Sequence, residues 1–330
     1  MFYHKKRLAT FFIGFFLLAA LQAQAPAKAE TFPSHLLKIV VPFAPGGPAD
    51  ALARPLAEAL SKRLGQSVIV ENRPGANAAI ASQYVARSAP DGYTLLLASD
   101  AGMSLAPATQ KNLPYDPARD FAPVSMVAQL AQLLFVSQAV PARSLRELIA
   151  LAKKSPRSLA YASIGMGSQS HVATEAFKRE AGIDIMHVPY PGAAPAITDV
   201  MADRVQVMIS SVPGPLALIR SGRLRAIAYA GPERSKALPD VPTFTEAGVP
   251  GFESRGWFGI VAPAKTPPEV LKILSENIWA IVRSEPFVSK VVEAPGFDVA
   301  KVSPEAFPEF LVKDRLKWKT LVAQQPDLDK

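Results

Sequence analysis

The sequence predicts an α/β protein of two lobes, each built on a mostly parallel sheet flanked by helices, and three observations carry that prediction. Short β-branched apolar runs alternate with longer stretches of helical periodicity, the rhythm of parallel strands joined by crossover helices. The strand-helix units fall into two groups, one ending near residue 130 and one running from about 131 to 254. Two long helices close the chain without strands of their own, so they pack back on an existing sheet. Two chain crossings, near 131 and 255, follow, with a cleft between lobes as a preferred place for a ligand.

The first strand, Leu37–Val41, ends at Pro42 and a Pro/Gly loop follows. The helix Ala49–Leu64 carries Leu52, Leu56, Leu60 and Leu64 at helical spacing, with Gly65 at its end. Ser67–Val70 reads as a strand, Asn77–Ala86 as a helix, Asp91-Gly92 as a turn and Tyr93–Ala98 as a buried strand. Leu134–Ser137 reads as a strand, Ser144–Lys154 as a helix, Leu159–Ser163 as a strand, and His171–Ala181 as a helix ended by Gly182. Met186–Val188, Ala193–Met201, Val205–Ile209, Leu216–Ser221 and Leu224–Ala228 continue the alternation. Trp257–Val261 is the last strand, before the closing helices Pro268–Ser284 and Pro304–Val322. Lobe I is therefore expected at residues 30–130 plus 255–330, and lobe II at 131–254.

Ahead of the first strand stand Lys5-Lys6-Arg7, the apolar stretch Leu8–Leu21 and small residues from Ala23 to Ala29. That is the anatomy of a cleaved secretory signal, so residues 1–29 are expected to be removed and the rest to be secreted. The apolar run is shorter than the roughly 20 residues a spanning helix needs, so no stable membrane anchor is expected. The chain has no cysteine, which excludes disulfides, thiolate catalysis, Cys-ligated metal and a lipidated cysteine. Loss of Lys5, Lys6, Arg7 and Lys28 takes the formal charge from +8 to +4. The remaining basic residues are scattered among acids with no aromatic-interleaved stripe, so nucleic acid is not an expected partner. A mild positive field suits small anionic solutes.

The most informative stretch is Phe43-Ala44-Pro45-Gly46-Gly47-Pro48-Ala49-Asp50, where a buried strand turns into a helix. Two glycines let the backbone bend close to a ligand, and Pro48 suits the first helical position, where a missing N–H costs nothing. The N–H groups of Gly47, Ala49 and Asp50 then point out of the helix start, where the macrodipole favours a carboxylate or phosphate. Such junctions also occur with nothing bound. Asp50 has a second reading, a first-turn carboxylate that stabilises its helix and pairs with Arg54 at i+4.

These residues, together with Val70-Glu71-Asn72-Arg73-Pro74-Gly75-Ala76-Asn77, Ala89-Pro90-Asp91-Gly92-Tyr93, Gly165-Met166-Gly167-Ser168 with His171, Val188-Pro189-Tyr190-Pro191-Gly192 and Leu238-Pro239-Asp240-Val241-Pro242-Thr243, run nearly end to end. The chain resembles the Bug-type periplasmic solute receptors of the tripartite tricarboxylate transporter family. The resemblance implies a two-lobed type 2 periplasmic binding protein, a Venus flytrap that closes over a small organic acid (a mono- or dicarboxylate) and passes it to membrane permease subunits. In that family backbone N–H groups and bridging waters from two loops hold the carboxylate. The first loop matches Ala44 to Pro48 here and the second Gly165-Met166-Gly167-Ser168-Gln169-Ser170. Both fall at strand-to-helix junctions, so two helix N-termini facing across a cleft would clamp one anion without lysine or arginine.

The candidate ligand-binding set is Phe43, Ala44, Pro45, Gly46, Gly47, Ala49 and Asp50 with Gly165, Gly167, Ser168, Gln169, Ser170 and His171, flanked by Tyr190, Gly192 and Ser210. Departures from the family pattern bear on the ligand. Pro191 stands where a lysine is common, Ser210-Ser211 where many members carry an aspartate, and Ala106-Pro107 where an asparagine-proline pair is frequent. Amino acids, whose ammonium would need that acid, are less favoured than plain carboxylic acids.

Enzyme readings find little. Gly165-Met166-Gly167-Ser168-Gln169-Ser170 superficially resembles a dinucleotide fingerprint, but the third glycine is Ser170, and Asp184 precedes a strand instead of following one. There is no Gly-x-Ser-x-Gly elbow. His35, His171 and His187 lack metal-ligand spacing. His171 suits a helix-start hydrogen bond, and His187 a core position. No enzymatic activity, cofactor or metal is expected, and the receptor is expected to be a monomer. A sensor of the same fold, docking to a membrane histidine kinase in place of a permease, is the alternative.

Overall fold

The computed structural model describes residues 31–324; the expected signal, residues 1–29, lies outside them. From His35 onward the described chain forms one compact unit. In chain order its elements are β1 (Leu37–Val41), α1 (Pro48–Leu64), β2 (Val68–Asn72), α2 (Ala79–Ala86), β3 (Thr94–Ser99), α3 (Ala106–Thr109), β4 (Phe121–Ser137), α4 (Leu145–Lys154), β5 (Ala160–Ser163), α5 (Gln169–Ala181), β6 (Met186–Pro189), α6 (Ala193–Met201), β7 (Val207–Ser211), α7 (Leu216–Arg220), β8 (Leu224–Tyr229), β9 (Arg255–Pro263), α8 (Pro268–Val282), α9 (Glu285–Phe287), β10 (Asp298–Val299) and α10 (Phe307–Ala323).

Parallel pairing needs a crossover between strands, and the helices supply it. β1 pairs in parallel with β2 and β3, and β5 in parallel with β6 and β7. α1 buries Leu52, Leu56 and Leu60, while Gly65 ends it in the left-handed conformation, φ 67°, with its N–H on Ser61 O. The long strands β4 and β9 add antiparallel pairs. β4 runs beside β9 from Phe121 opposite Pro263 to Ala131 opposite Arg255. From Gln132, opposite Ser211, it continues beside β7, with β8 on its other edge. One 17-residue strand thus belongs to both sheets.

Periodicity predicts only Leu134–Ser137 of this strand. Every residue from Val124 to Ser137 is buried, so no polar face alternates with an apolar one to mark it. Smaller differences have local causes. The helix expected from Asn77 begins at Ala79, because Ala76, Asn77 and Ala78 hold φ of 48°, 49° and 73°, outside the right-handed helical region. α5 begins two residues earlier than expected, at Gln169, because Ser168 serves as its N-cap.

Hydrophobic clusters cover the sheets. Val40, Leu96, Met126, Trp257 and Phe307 form one, and Tyr161, Phe177, Phe244 and Phe252 belong to another. Phe135, Met208 and Tyr229 belong to a third, on the opposite side of β4 from its neighbour Leu134. Trp257, Trp279 and Trp318 all lie in or against such clusters, and Trp257 Nε1 donates to Asp314 Oδ2 at 2.8 Å.

Candidate functional site

The first loop leaves the C-terminal end of β1, the edge at which open α/β sheets bind ligands. Asp50, 5% exposed, organises it from behind. Its Oδ2 accepts from Gly46 N–H at 3.0 Å and Arg54 Nε at 2.8 Å, and its Oδ1 accepts from Asn72 Nδ2 at 3.0 Å. Asn72 Nδ2 also donates to Phe43 O at 3.0 Å, so the end of β2 pins the loop to the end of β1. The Arg54 guanidinium, then Gly46 N–H and Asn72, hold the Asp50 carboxyl below the usual carboxylate range against the opposing effect of burial. Asp50 is thereby committed to the loop and its helix. The N–H groups of Gly47, Ala49 and Asp50 take no hydrogen-bond partner among the described residues, as the first turn of a helix leaves them. Ala44 and Pro45 form the exposed tip, and Phe43 sits edge-on to Phe258 with ring centroids 6.2 Å apart.

The second loop leaves β5 and is braced by its own hydroxyls. Ser168 Oγ donates to Gly165 O at 2.6 Å and accepts from His171 N–H at 3.4 Å; Ser170 Oγ accepts from Ile164 N–H at 2.9 Å. Gly167, at φ 66°, gives its N–H to His171 Nδ1 at 3.1 Å. The N–H groups of Gly46 and Gly167 are therefore spent inside the loops. The donors left without a partner among the described residues are those of Met166, Gln169 and Ser170. Replacing the cap, Ser168→Ala, is expected to cost about 1 kcal/mol of stability, measured by urea unfolding.

An open cavity of about 790 Å³ lies against the first loop, with Gly46, Gly47 and Ala51 on one side, Pro213 and Leu216 on the other, and Phe297 in its wall. The second loop has other neighbours. A Cβ at Gly165 would stand 3.7 Å from Tyr190 O, and one at Gly167 3.8 Å from Thr109 Cγ2. The Tyr190 hydroxyl donates to Asp199 Oδ2 at 2.9 Å, which holds the ring against α6. Gly192 is the residue before α6, and Ser210 is buried on β7 opposite Leu133.

Two residues near these loops carry no functional signal in the sequence reading. Asn72 is one; a polar residue ending a buried strand beside the loop was the available sign. Asp100, at the end of β3, is the other. Its carboxyl and the Gln169 amide both crowd Gly256, where a Cβ would meet them at 3.0–3.1 Å. Burial, with Asp314 nearby, pushes the Asp100 pKa up to about 8, so it is mostly uncharged at neutral pH.

Known proteins resemble this chain in sequence and in fold. Residues 52–326 match the family described as the tripartite tricarboxylate transporter family receptor. The chain is 37% identical over 317 residues to Protein BugT of Bordetella pertussis (strain Tohama I), an alignment covering 94% of this chain and 95% of that one. A protein of R. palustris solved with adipate is 34% identical with a TM-score of 0.82, covering 88% of this chain and 97% of that one. MatC from Rhodopseudomonas palustris, solved with bound malate, is 30% identical with a TM-score of 0.77, covering 88% of this chain and 100% of that one. The chain belongs to the tripartite tricarboxylate transporter receptor family, whose members are solute-binding receptors and not enzymes, and it has their two-lobed α/β fold.

Proposed function

We propose that this protein is a periplasmic receptor that binds a small organic carboxylate between its lobes and delivers it to the permease of a tripartite tricarboxylate-type transporter. One observation carries the reading: two glycine loops each end in a helix whose first N–H groups have no partner among the described residues. These are Gly47, the N-cap of α1, with Ala49 and Asp50 in its first turn, and Met166 in the second loop with Gln169 and Ser170 in the first turn of α5. A carboxylate accepts such donors along its lone pairs, and the two helix dipoles add to the attraction. Bridging waters would let one scaffold take acids of different length. The adipate and malate bound by relatives support this ligand class.

Lobe I comprises residues 30–130 plus 255–330 and lobe II residues 131–254 in this reading. In its support, β4 leaves β9 after Ala131 and joins β7 at Gln132, and β9 begins at Arg255. Phe43, Tyr190, Gly192 and Ser210 flank the ligand. With the neutral Ser210 in the position where many members carry an acid, plain acids bind better than amino acids. The secretory signal delivers the protein to the periplasm.

The test is thermal unfolding against mono-, di- and tricarboxylates, aromatic acids, amino acids and nucleotides. A ligand at a hundred times its dissociation constant adds about 2.7 kcal/mol, which for a chain of this size raises the midpoint by roughly 4 °C. A selective rise with carboxylates supports the reading; a rise with nucleotides alone overturns it.

A further inference from the structure

Beneath the second loop, His171 on α5 and His187 on β6 stack almost in parallel, with ring centroids 4.1 Å apart and planes 10° from each other. The Tyr161 ring continues the stack 4.8 Å beyond His187. The stack is wired to the loop backbone at two points. Gly167 N–H donates to His171 Nδ1 at 3.1 Å. His187 Nε2 lies 2.6 Å from Ser163 Oγ, and that oxygen accepts from Gly165 N–H at 3.2 Å. Gly165 and Gly167 flank Met166 and hold φ of 118° and 66°, so they set the path that leaves Met166, Gln169 and Ser170 with unused donors.

We infer that His171 and His187 are paired positioning residues that hold the second loop in its donor-presenting shape only while His171 Nδ1 carries no proton, with Ser163 Oγ, which also donates to Gly165 O at 3.2 Å, joining His187 to the loop. To accept from Gly167, His171 Nδ1 must carry no proton, which puts the ring hydrogen on Nε2. A proton on Nδ1 would set two donors against each other and release Gly167. A second imidazolium stacked on the first would add like-charge repulsion. Of the other charged groups facing the stack, Glu175 favours a cation and Lys178 opposes it, and burial outweighs both. From α5, Glu175 already accepts from the Tyr161 hydroxyl at 2.6 Å and from Lys178 Nζ at 2.8 Å, and Lys178 is itself a cation.

Burial is the first cause that holds both imidazoles below the ordinary histidine value, His187 down to about 4, and the neighbouring His171 adds to the lowering at His187. A histidine whose folded pKa is depressed stabilises the folded state fully above its unfolded value of 6.5. That contribution is lost as pH falls from there towards about 4. The loop is expected to loosen in the same window. The consequence for ligand rests on the carboxylate reading above, but the consequence for the loop does not.

A ¹H–¹⁵N NMR titration of the ligand-free protein from pH 7.5 to 4 tests the inference. In the wild type the Gly165 and Gly167 amides are expected to shift in step with the histidine ring signals. Ser163→Ala removes the Gly165 component and leaves that of Gly167. His171→Asn, whose Oδ1 can accept from Gly167 but does not titrate, keeps the Gly167 amide in place. Amides that stay fixed while the rings titrate overturn the inference. Adipate affinity supplies a second readout. At pH 7.5, His171→Leu is expected to weaken binding at least threefold more than His171→Asn, which keeps an acceptor for Gly167. Between pH 7.5 and 4.5 the wild type should lose at least tenfold more affinity than His171→Asn, a comparison that cancels protonation of adipate itself. Equal losses in both proteins overturn the inference. Absence of adipate binding at every pH counts against the carboxylate reading alone, and the amide titration still decides.

Discussion

Replacing Gly167 by proline is expected to abolish carboxylate binding, raising the dissociation constant at least about a hundredfold, while the protein stays folded. Proline holds φ near −65°, whereas Gly167 sits at 66°. Proline also removes the N–H that bonds His171 Nδ1 at 3.1 Å, and it drives the preceding Met166 towards extended backbone. The loop then takes another path, and the donors of Met166, Gln169 and Ser170 no longer keep their places. Hydrogen bonds to a charged group contribute about 1.5–3 kcal/mol each. Loss of two accounts for the hundredfold. Calorimetric titration with adipate, beside a thermal melt to show that the variant is folded, checks this. A folded variant that keeps its affinity within tenfold would remove the second loop from the clamp.

The largest expected loss of stability comes from the helix that carries this loop. Phe177 on α5 is fully buried, with its ring edge-on to Phe244 at 5.4 Å and to Phe252 at 5.9 Å. Phe244 and Phe252 are themselves 4.4 Å apart. Truncating a ring in such a cluster loses its transfer free energy and leaves a cavity that rings on neighbouring elements cannot all collapse into, so Phe177→Ala is expected to cost about 3–5 kcal/mol. The melting midpoint should fall by roughly 5–8 °C. A loss below about 1 kcal/mol in urea unfolding would mean that this core closes over the missing ring. Because α5 begins at the second loop, the two variants separate the roles of one helix: its first turn presents donors, and its later turns anchor it.

The parts of the fold that could be read in the sequence are those where a local signal and the tertiary structure agree. Leu37–Val41 is a short β-branched run, Leu52, Leu56 and Leu60 repeat at helical spacing, and Gly65 and Gly182 take the left-handed conformation that ends a helix. The two glycine loops could be read for the same reason, since strand, glycines and helix start adjoin in the chain. β4 could not be read, because a strand buried on both faces carries no alternation, and its Ala-Gln-Leu-Ala-Gln stretch fits neither period.

Within the site, sequence alone determined where the loops lie, which helices they open, and that their helix-start amides are without local partners. Which donors remain was decided by the folded loops and by the packing that holds their side chains in place. Asp50 turns inward to Gly46, Arg54 and Asn72, and His171 takes the Gly167 N–H. The sequence suggests the Asp50–Arg54 pair at i+4 and a helix-start hydrogen bond for His171. It does not reveal Asn72 bracing Asp50 from β2 or His187 stacking on His171 from β6. Those partners stand 22 and 16 residues away, and only pairing of their strands brings them to the loops. Local spacing reports what the backbone can offer, and the packed fold determines which of those offers stay open to a ligand.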